Sequence, residues 1–289
     1  MKIEQFLHLE DVLELILDTV CVVDKTNKLV FVSAAFESMF GYKPEEVIGR
    51  SVYDFVYSED NHKTSNIVEK ILHGQTQPSF ENRWVHKSGK IIHVLWSARW
   101  SEQHQVRIAV AHDITERKKM EQHLEYLANH DPLTKLPNRA ALKKCLQVSL
   151  STAKANNTHL YLLFIDLDNF KQINDNHNHT VGDQVLEIVA QRLLNCVRDT
   201  DIVGRLGGDE FVILLDNMSS KEDVTKLANK MCLAVEQPVS LANTTLQLSL
   251  SIGIAAYPEH GANYDSLMQF ADEAMYKAKK AGGNRVIVF

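Results

Sequence analysis

Asp201-Ile202-Val203-Gly204-Arg205-Leu206 runs into Gly207-Gly208-Asp209-Glu210, and that into Phe211-Val212-Ile213-Leu214-Leu215. The outer pieces are apolar runs of strand length, and the centre holds two adjacent glycines. The pattern predicts two strands joined by a tight turn, because glycine supplies the positive φ that such a turn needs. The turn also carries adjacent carboxylates, Asp209 and Glu210. Paired acids at a hairpin tip suit a hard cation, which takes oxygen ligands.

Upstream, residues 160–165 are almost wholly apolar, as a central strand should be. Asp166 ends that run. A carboxylate leaving a buried strand opposite the Asp209 hairpin would bring two oxygen ligands together. Asn169-Phe170-Lys171 then opens a helix, for which Asp168 is the predicted N-cap. Asn174, His179 and Gly182-Asp183 follow.

Together these stretches resemble the GGDEF family of diguanylate cyclases, which join two GTP molecules into cyclic di-GMP. The resemblance continues in Asp131-Pro132-Leu133-Thr134-Lys135-Leu136-Pro137-Asn138-Arg139, where Lys135 replaces a usual glycine. It extends through Ser251-Ile252-Gly253-Ile254-Ala255 and Ala271-Asp272-Glu273-Ala274-Met275-Tyr276-Lys277-Ala278-Lys279. It implies, for residues 130–289, an α/β fold related to nucleotidyl-cyclase and polymerase palm domains, with an antiparallel-containing sheet flanked by helices.

The resemblance also implies roles. Magnesium or manganese would be held by Asp166, the Leu167 carbonyl and Asp209, with Glu210 available to the metal or as a proton acceptor. Gly207 and Gly208 would border the substrate, Asn174 and Asp183 would read guanine, and His179 would be structural. Free N–H groups at Phe170 and Lys171 would take phosphate oxygens, as would Lys279. Gly283 stands where the family often has a second phosphate cation. The pair Gly282-Gly283 is expected to end the helix there, leaving Arg285 as a substitute by another route. Arg198 and Asp201 match an RxxD site that binds the product and inhibits. A ring product needs two GTP-loaded domains in symmetric opposition, hence a homodimer.

The first half alternates short strands and helices. Strands are expected at 20–24, 29–32, 80–86, 91–99 and 106–113, and helices at 34–40, 44–48 and 59–72, the last stopping at Gly74. Phe40-Gly41-Tyr42, Glu45-Glu46-Val47-Ile48-Gly49-Arg50, Ser58-Glu59-Asp60, Lys87-Ser88-Gly89 and Asp113-Ile114-Thr115-Glu116-Arg117 resemble a PAS sensor domain, an α+β fold with helices cupping a small pocket. The resulting division is a PAS domain with an N-terminal helix at 1–113, a helical linker at 114–129 and a GGDEF domain at 130–289. In the linker, Met120, Leu124 and Leu127 form a stripe suited to a short coiled coil between subunits. The PAS ligand is unknown. Haem would need His62 or His73 as axial donor, and flavin would sit among Trp84, Trp96 and Trp100.

The net charge of −6, from 31 basic and 37 acidic residues, argues against a dedicated nucleic-acid binder. No apolar run is long enough for a membrane span, and Met1-Lys2-Ile3-Glu4-Gln5 is too mixed for a signal peptide. The four cysteines form no CxxC pair and read as buried free thiols. A cytoplasmic protein is therefore expected. Two competing readings stand beside an active, sensor-controlled cyclase. One is a weak or inactive GGDEF fold that only binds GTP or cyclic di-GMP. The other is a PAS interaction protein whose second domain is a passive dimeriser.

Overall fold

The protein is described by a computed structural model covering residues 18–73, 77–241 and 244–289. The expected N-terminal helix and the Gly74 stop lie outside the described residues. The chain forms two compact units that divide between His123 and Leu124.

In the first unit, β1 (Thr19–Asp24), β2 (Leu29–Val32), β3 (Gln77–Val85), β4 (Ile91–Ser101) and β5 (Val106–Asp113) form one antiparallel sheet in the order β2-β1-β5-β4-β3. Side chains alternate across a strand, and β1 shows it: Cys21 and Val23 are buried while Val22 and Asp24 are half-exposed. The buried face meets α1 (Ala35–Phe40), α2 (Pro44–Val47) and α3 (Asn61–Leu72), with a 3-10 turn at Ser58–Asp60 where the sequence predicted the start of the last helix. Trp84 anchors this core, with ring centroids 4.9 Å from Phe40, 5.0 Å from Trp96 and 6.0 Å from Phe55.

Trp84 and Trp96 line the remaining cavity, whereas Trp100 packs half-buried against the core and does not line it. That cavity measures ≈ 30 Å³, room for two or three waters, so in this conformation neither haem nor flavin fits. His62 and His73, the expected haem donors, are exposed and do not line it.

The second unit is built on the sheet β12-β11-β6-β8-β7. Its members are β6 (Leu160–Leu167), β7 (Ile202–Gly207), β8 (Glu210–Asp216), β11 (Leu250–Tyr257) and β12 (Arg285–Val288), and only the β11–β12 pair is parallel. A separate small hairpin joins β9 (Val239–Leu241) to β10 (Thr244–Leu246). Every residue of β6 is buried, because helices cover both faces. Tyr161, Leu163, Ile165 and Leu167 face one cluster with α7 (His179–Leu194) and α8 (Lys221–Glu236). Leu160, Leu162 and Phe164 face the other, with α5 (Arg139–Asn156) and α9 (Tyr264–Lys280). A strand buried on both sides reads as a continuous apolar run, which is how it announces itself in the sequence.

Helix α4 (Thr115–Asn129) connects the two units. It buries no residue, and Met120, Leu124 and Leu127 are 64%, 65% and 42% exposed. Among the described residues, no helix is long and apolar enough to cross a membrane.

Candidate active site

Asp166 is the one charged residue on β6, and strand alternation decides where it points. Even-numbered residues of β6 face α5 and α9, so Asp166 turns to that side. It pairs in register with Glu210, and Val212 and Leu214 put the even positions of β8 on the same face. Two carboxylates are thereby brought side by side at the end of a buried sheet. The strand does not stop at Asp166 but carries it inside, to Leu167.

Lys279, near the end of α9, places Nζ 2.6 Å from Asp166 Oδ1. Oδ1 is buried, and the lysine ammonium is its charged partner. Burial pushes the Asp166 carboxyl up to about 6; Lys279 opposes the shift, and the charges of Asp209 and Glu210 add to it. Burial also raises Glu210, where Arg139 and Lys279 oppose and Asp209 and Asp272 add.

The Gly207–Gly208 turn takes φ of 143° and 55°, as the sequence predicted for glycine. Two contacts hold it. The Leu167 N–H donates to the Asp209 carbonyl at 3.3 Å. Arg205 donates from Nε and Nη2 to the Gly208 carbonyl at 3.0 and 2.7 Å, and from Nη1 to Asp131 Oδ1 at 2.8 Å. The same Asp131 oxygen accepts the Thr134 N–H and hydroxyl at 2.8 and 2.7 Å. Sequence reasoning missed Arg205, Asp131, Arg139 and Asp272, because nothing local marks a residue whose partner is seventy positions away.

Helix α6 (Phe170–His177) and α7 meet where Asn174 lies against Gly182. A Cβ at Gly182 would collide with the Asn174 amide oxygen, so glycine permits that approach. Asn174 is half-buried there, Asp183 is exposed beside it, and Lys171 is exposed at the start of α6. His179 is exposed as the first residue of α7, so it fills no buried structural role.

The expected Asp168 N-cap is corrected. The cap position of α6 is Asn169, at φ 57° with no side-chain cap. Asp168 instead accepts the Ser249 and Ser251 hydroxyls, both at 2.7 Å, and the Asn284 N–H at 2.8 Å. These acceptor bonds draw it away from the helix. Gly282 and Gly283 end α9 with φ of 108° and 72°. A Cβ at 283 would crowd the Asp168 carboxylate, and with the positive φ this suits glycine there. Arg285 folds its Nε onto the Gly283 carbonyl at 3.0 Å.

Arg198 and Asp201 form a closed turn just before β7. The Arg198 N–H donates to Asp201 Oδ2 at 2.9 Å, and the Asp201 N–H donates to the Arg198 carbonyl at 3.0 Å. Asp201 Oδ1 is buried without a partner. Both residues line a cleft of ≈ 380 Å³ together with Lys226 and Lys230 of α8.

Among the described residues, no three His, Cys, Asp or Glu side chains gather into a metal cage. The donors present still fit magnesium, which takes one or two carboxylates and leaves other positions to water and phosphate. Asp166 offers a buried carboxylate to such an ion, with the Lys279 ammonium already on its Oδ1.

Residues 128–285 match the family described as diguanylate cyclase, GGDEF domain, and residues 7–114 match the PAS fold. The chain belongs to the GGDEF family. The GGDEF protein TpbB of Pseudomonas aeruginosa, named a diguanylate cyclase, is 43% identical over 164 residues, covering 56% of this chain and 38% of TpbB. Its GGDEF-domain structure superposes with a TM-score of 0.54 at 41% identity, over 55% of this chain and 93% of that one. PdeR of Escherichia coli, named a cyclic di-GMP phosphodiesterase, is 30% identical over 287 residues, which is 93% of this chain and 41% of PdeR. This chain thus spans about two fifths of the length of these curated relatives.

Proposed function

We propose that this GGDEF protein is a sensor-regulated diguanylate cyclase that condenses two GTP into cyclic di-GMP and releases two pyrophosphates. The observation that carries the reading is the Asp166–Glu210 register pair, with Lys279 seated on Asp166. In each half-reaction the 3′-hydroxyl oxygen of one GTP bonds to the α-phosphorus of the other, and the bond to the β-phosphate bridge breaks. Asn174 and Asp183 hold the guanine edge. The uncapped N–H groups at Phe170 and Lys171 hold phosphate oxygens, and Gly207 and Gly208 let the backbone approach the nucleotide. Glu210, raised by burial, takes the proton of the attacking hydroxyl. Asp166, the Leu167 carbonyl and Asp209 would hold magnesium, which when bound neutralises charge on the phosphates.

Two further features support regulation. The exposed Met120, Leu124 and Leu127 stripe suits a homodimeric coiled coil, and a cyclic product needs two domains facing each other. The Arg198–Asp201 cleft has an unpartnered buried carboxylate oxygen and nearby lysines, which suits a guanine edge and a phosphate. The GGDEF domain of DgcB from Caulobacter crescentus, 29% identical with a TM-score of 0.53 over 56% of this chain and 95% of that one, was solved with cyclic di-GMP.

The test is incubation with magnesium and GTP or ATP. GTP should give cyclic di-GMP and pyrophosphate in a ratio of about one to two, as two half-reactions per ring require, and ATP should give neither. Binding of GTP without product would favour the nucleotide-binding module instead.

A further inference from the structure

The core of the first unit closes around the ≈ 30 Å³ cavity, whose walls are mostly apolar, among them Val23, Leu29, Val52 and Ala109. Its polar lining sorts into two kinds. Asn82, Thr64 and Trp96 satisfy one another: Trp96 Nε1 donates to Asn82 Oδ1 at 2.8 Å, and Asn82 Nδ2 donates to Thr64 Oγ1 at 2.9 Å. Arg107 and Trp84 do not.

Arg107, on β5, is 5% exposed. Its hydrogen bond among the described residues runs from Nη1 to Asn27 Oδ1 at 3.2 Å, and among those residues no carboxylate pairs with it. Cys21, the thiol beside it, is pushed up by burial and stays neutral. An arginine keeps its charge in a protein and offers five N–H donors in a planar fork. Burying that charge with one neutral acceptor is strongly unfavourable unless something completes the pairing. Trp84, another residue lining the cavity, has its Nε1 donor buried without a partner. The cavity is therefore short of acceptors and of negative charge.

We propose that this cavity binds a compact carboxylate, anchored by Arg107. The guanidinium fork matches the two oxygens of a carboxylate. Apolar walls accept a short hydrocarbon end and disfavour phosphate, which would need polar partners on every side. The volume sets the size, two or three waters, close to acetate. The inference is independent of what the second unit catalyses.

The protein's three tryptophans, Trp84, Trp96 and Trp100, all belong to this unit, and two line the cavity, so intrinsic fluorescence reports the site in the full chain. The experiment titrates the protein with sodium acetate, sodium chloride and sodium phosphate at matched pH and ionic strength. Acetate should give a saturable change, chloride none, and phosphate none or a much weaker one. Arg107→Met, which removes the charge at similar volume, should weaken acetate binding at least about tenfold, the cost of losing a charge-assisted bond. Arg107→Lys keeps the charge but loses the fork, and should weaken it less; it serves if the methionine variant does not fold. No saturable change up to about 100 mM acetate, equal saturation by phosphate, or unchanged half-saturation in a folded Arg107 variant would overturn the proposal.

Discussion

Lys279 Nζ stands 2.6 Å from Asp166 Oδ1, and a glycine on a third element makes that contact possible. Gly253, on β11, faces α9 so closely that a Cβ there would collide with the Ala271 carbonyl and the Met275 amide. The helix can lie directly on the sheet, and its C-terminal lysine reaches the carboxylate at the sheet's end. Backbone cannot yield as a flexible side chain can, so Gly253→Ala should displace α9. The expected cost is about 1–3 kcal/mol of stability, as for other overpacked cores, with turnover of GTP falling further than stability alone explains. Urea denaturation and an activity assay on the folded fraction check both; an unchanged midpoint would refute the close packing.

Lys135 adopts φ 62°, a left-handed conformation that costs a side-chain-bearing residue about 1–2 kcal/mol. The sequence resemblance makes glycine the expected residue here, and the positive φ is the geometry that glycine takes most readily. Lys135→Gly should stabilise the second unit by about 1 kcal/mol after glycine's greater unfolded entropy is subtracted. Thermal unfolding of the two proteins side by side measures it.

Arg205 ties the Gly208 carbonyl to Asp131, so it sets where the Gly207–Gly208 turn sits. Arg205→Lys keeps the charge and loses the fork. Turnover should fall about tenfold with little change in KM for GTP, the pattern of lost positioning. Burial raises the Asp131 carboxyl, but the Thr134 N–H and hydroxyl and Arg205 outweigh it and hold the group below its ordinary 3.8. A lowered carboxyl stabilises the fold fully above the unfolded value and loses that contribution as pH falls below it. Asp131→Asn should therefore flatten the acid limb of the stability curve below about pH 4.

Much of this arrangement was legible in the sequence where local physics decides it. The apolar run 160–165, the glycine turn at 207–208 and the glycine stop at 282–283 each carry their own signature, and each element formed as read. Asp166 was readable as meeting the hairpin that carries Asp209 and Glu210, but that Glu210 is its register partner came only from the strand pairing. Asp168 was misread because its partners, Ser249, Ser251 and Asn284, are more than eighty residues away and outcompete the local cap. Arg205 with Asp131, Gly253 with α9, and Arg107 in its cavity are likewise tertiary facts, with no trace in composition or spacing.

The α4 stripe of Met120, Leu124 and Leu127 is exposed in the single chain, and the helix has no glycine or serine hinge. One inserted residue rotates everything beyond it by about 100°, while seven nearly restore the face. Insertion of one residue after Glu121 should change cyclase activity strongly, and insertion of seven should largely restore it, at equal dimer occupancy checked by light scattering. Equal activity in all three proteins would make the helix a passive tether.

The central claim is that the carboxylates gathered at the end of β6 and in the 207–210 turn convert GTP. Its most direct test is chromatographic measurement of cyclic di-GMP formed from GTP and magnesium by the parent, Asp166→Ala and Asp209→Ala, each shown by circular dichroism to be folded. The account predicts product from the parent and a loss of at least about a hundredfold in both variants, the scale expected when a charge acting on the transferring phosphate is removed. Parent-like product from either folded variant would contradict it.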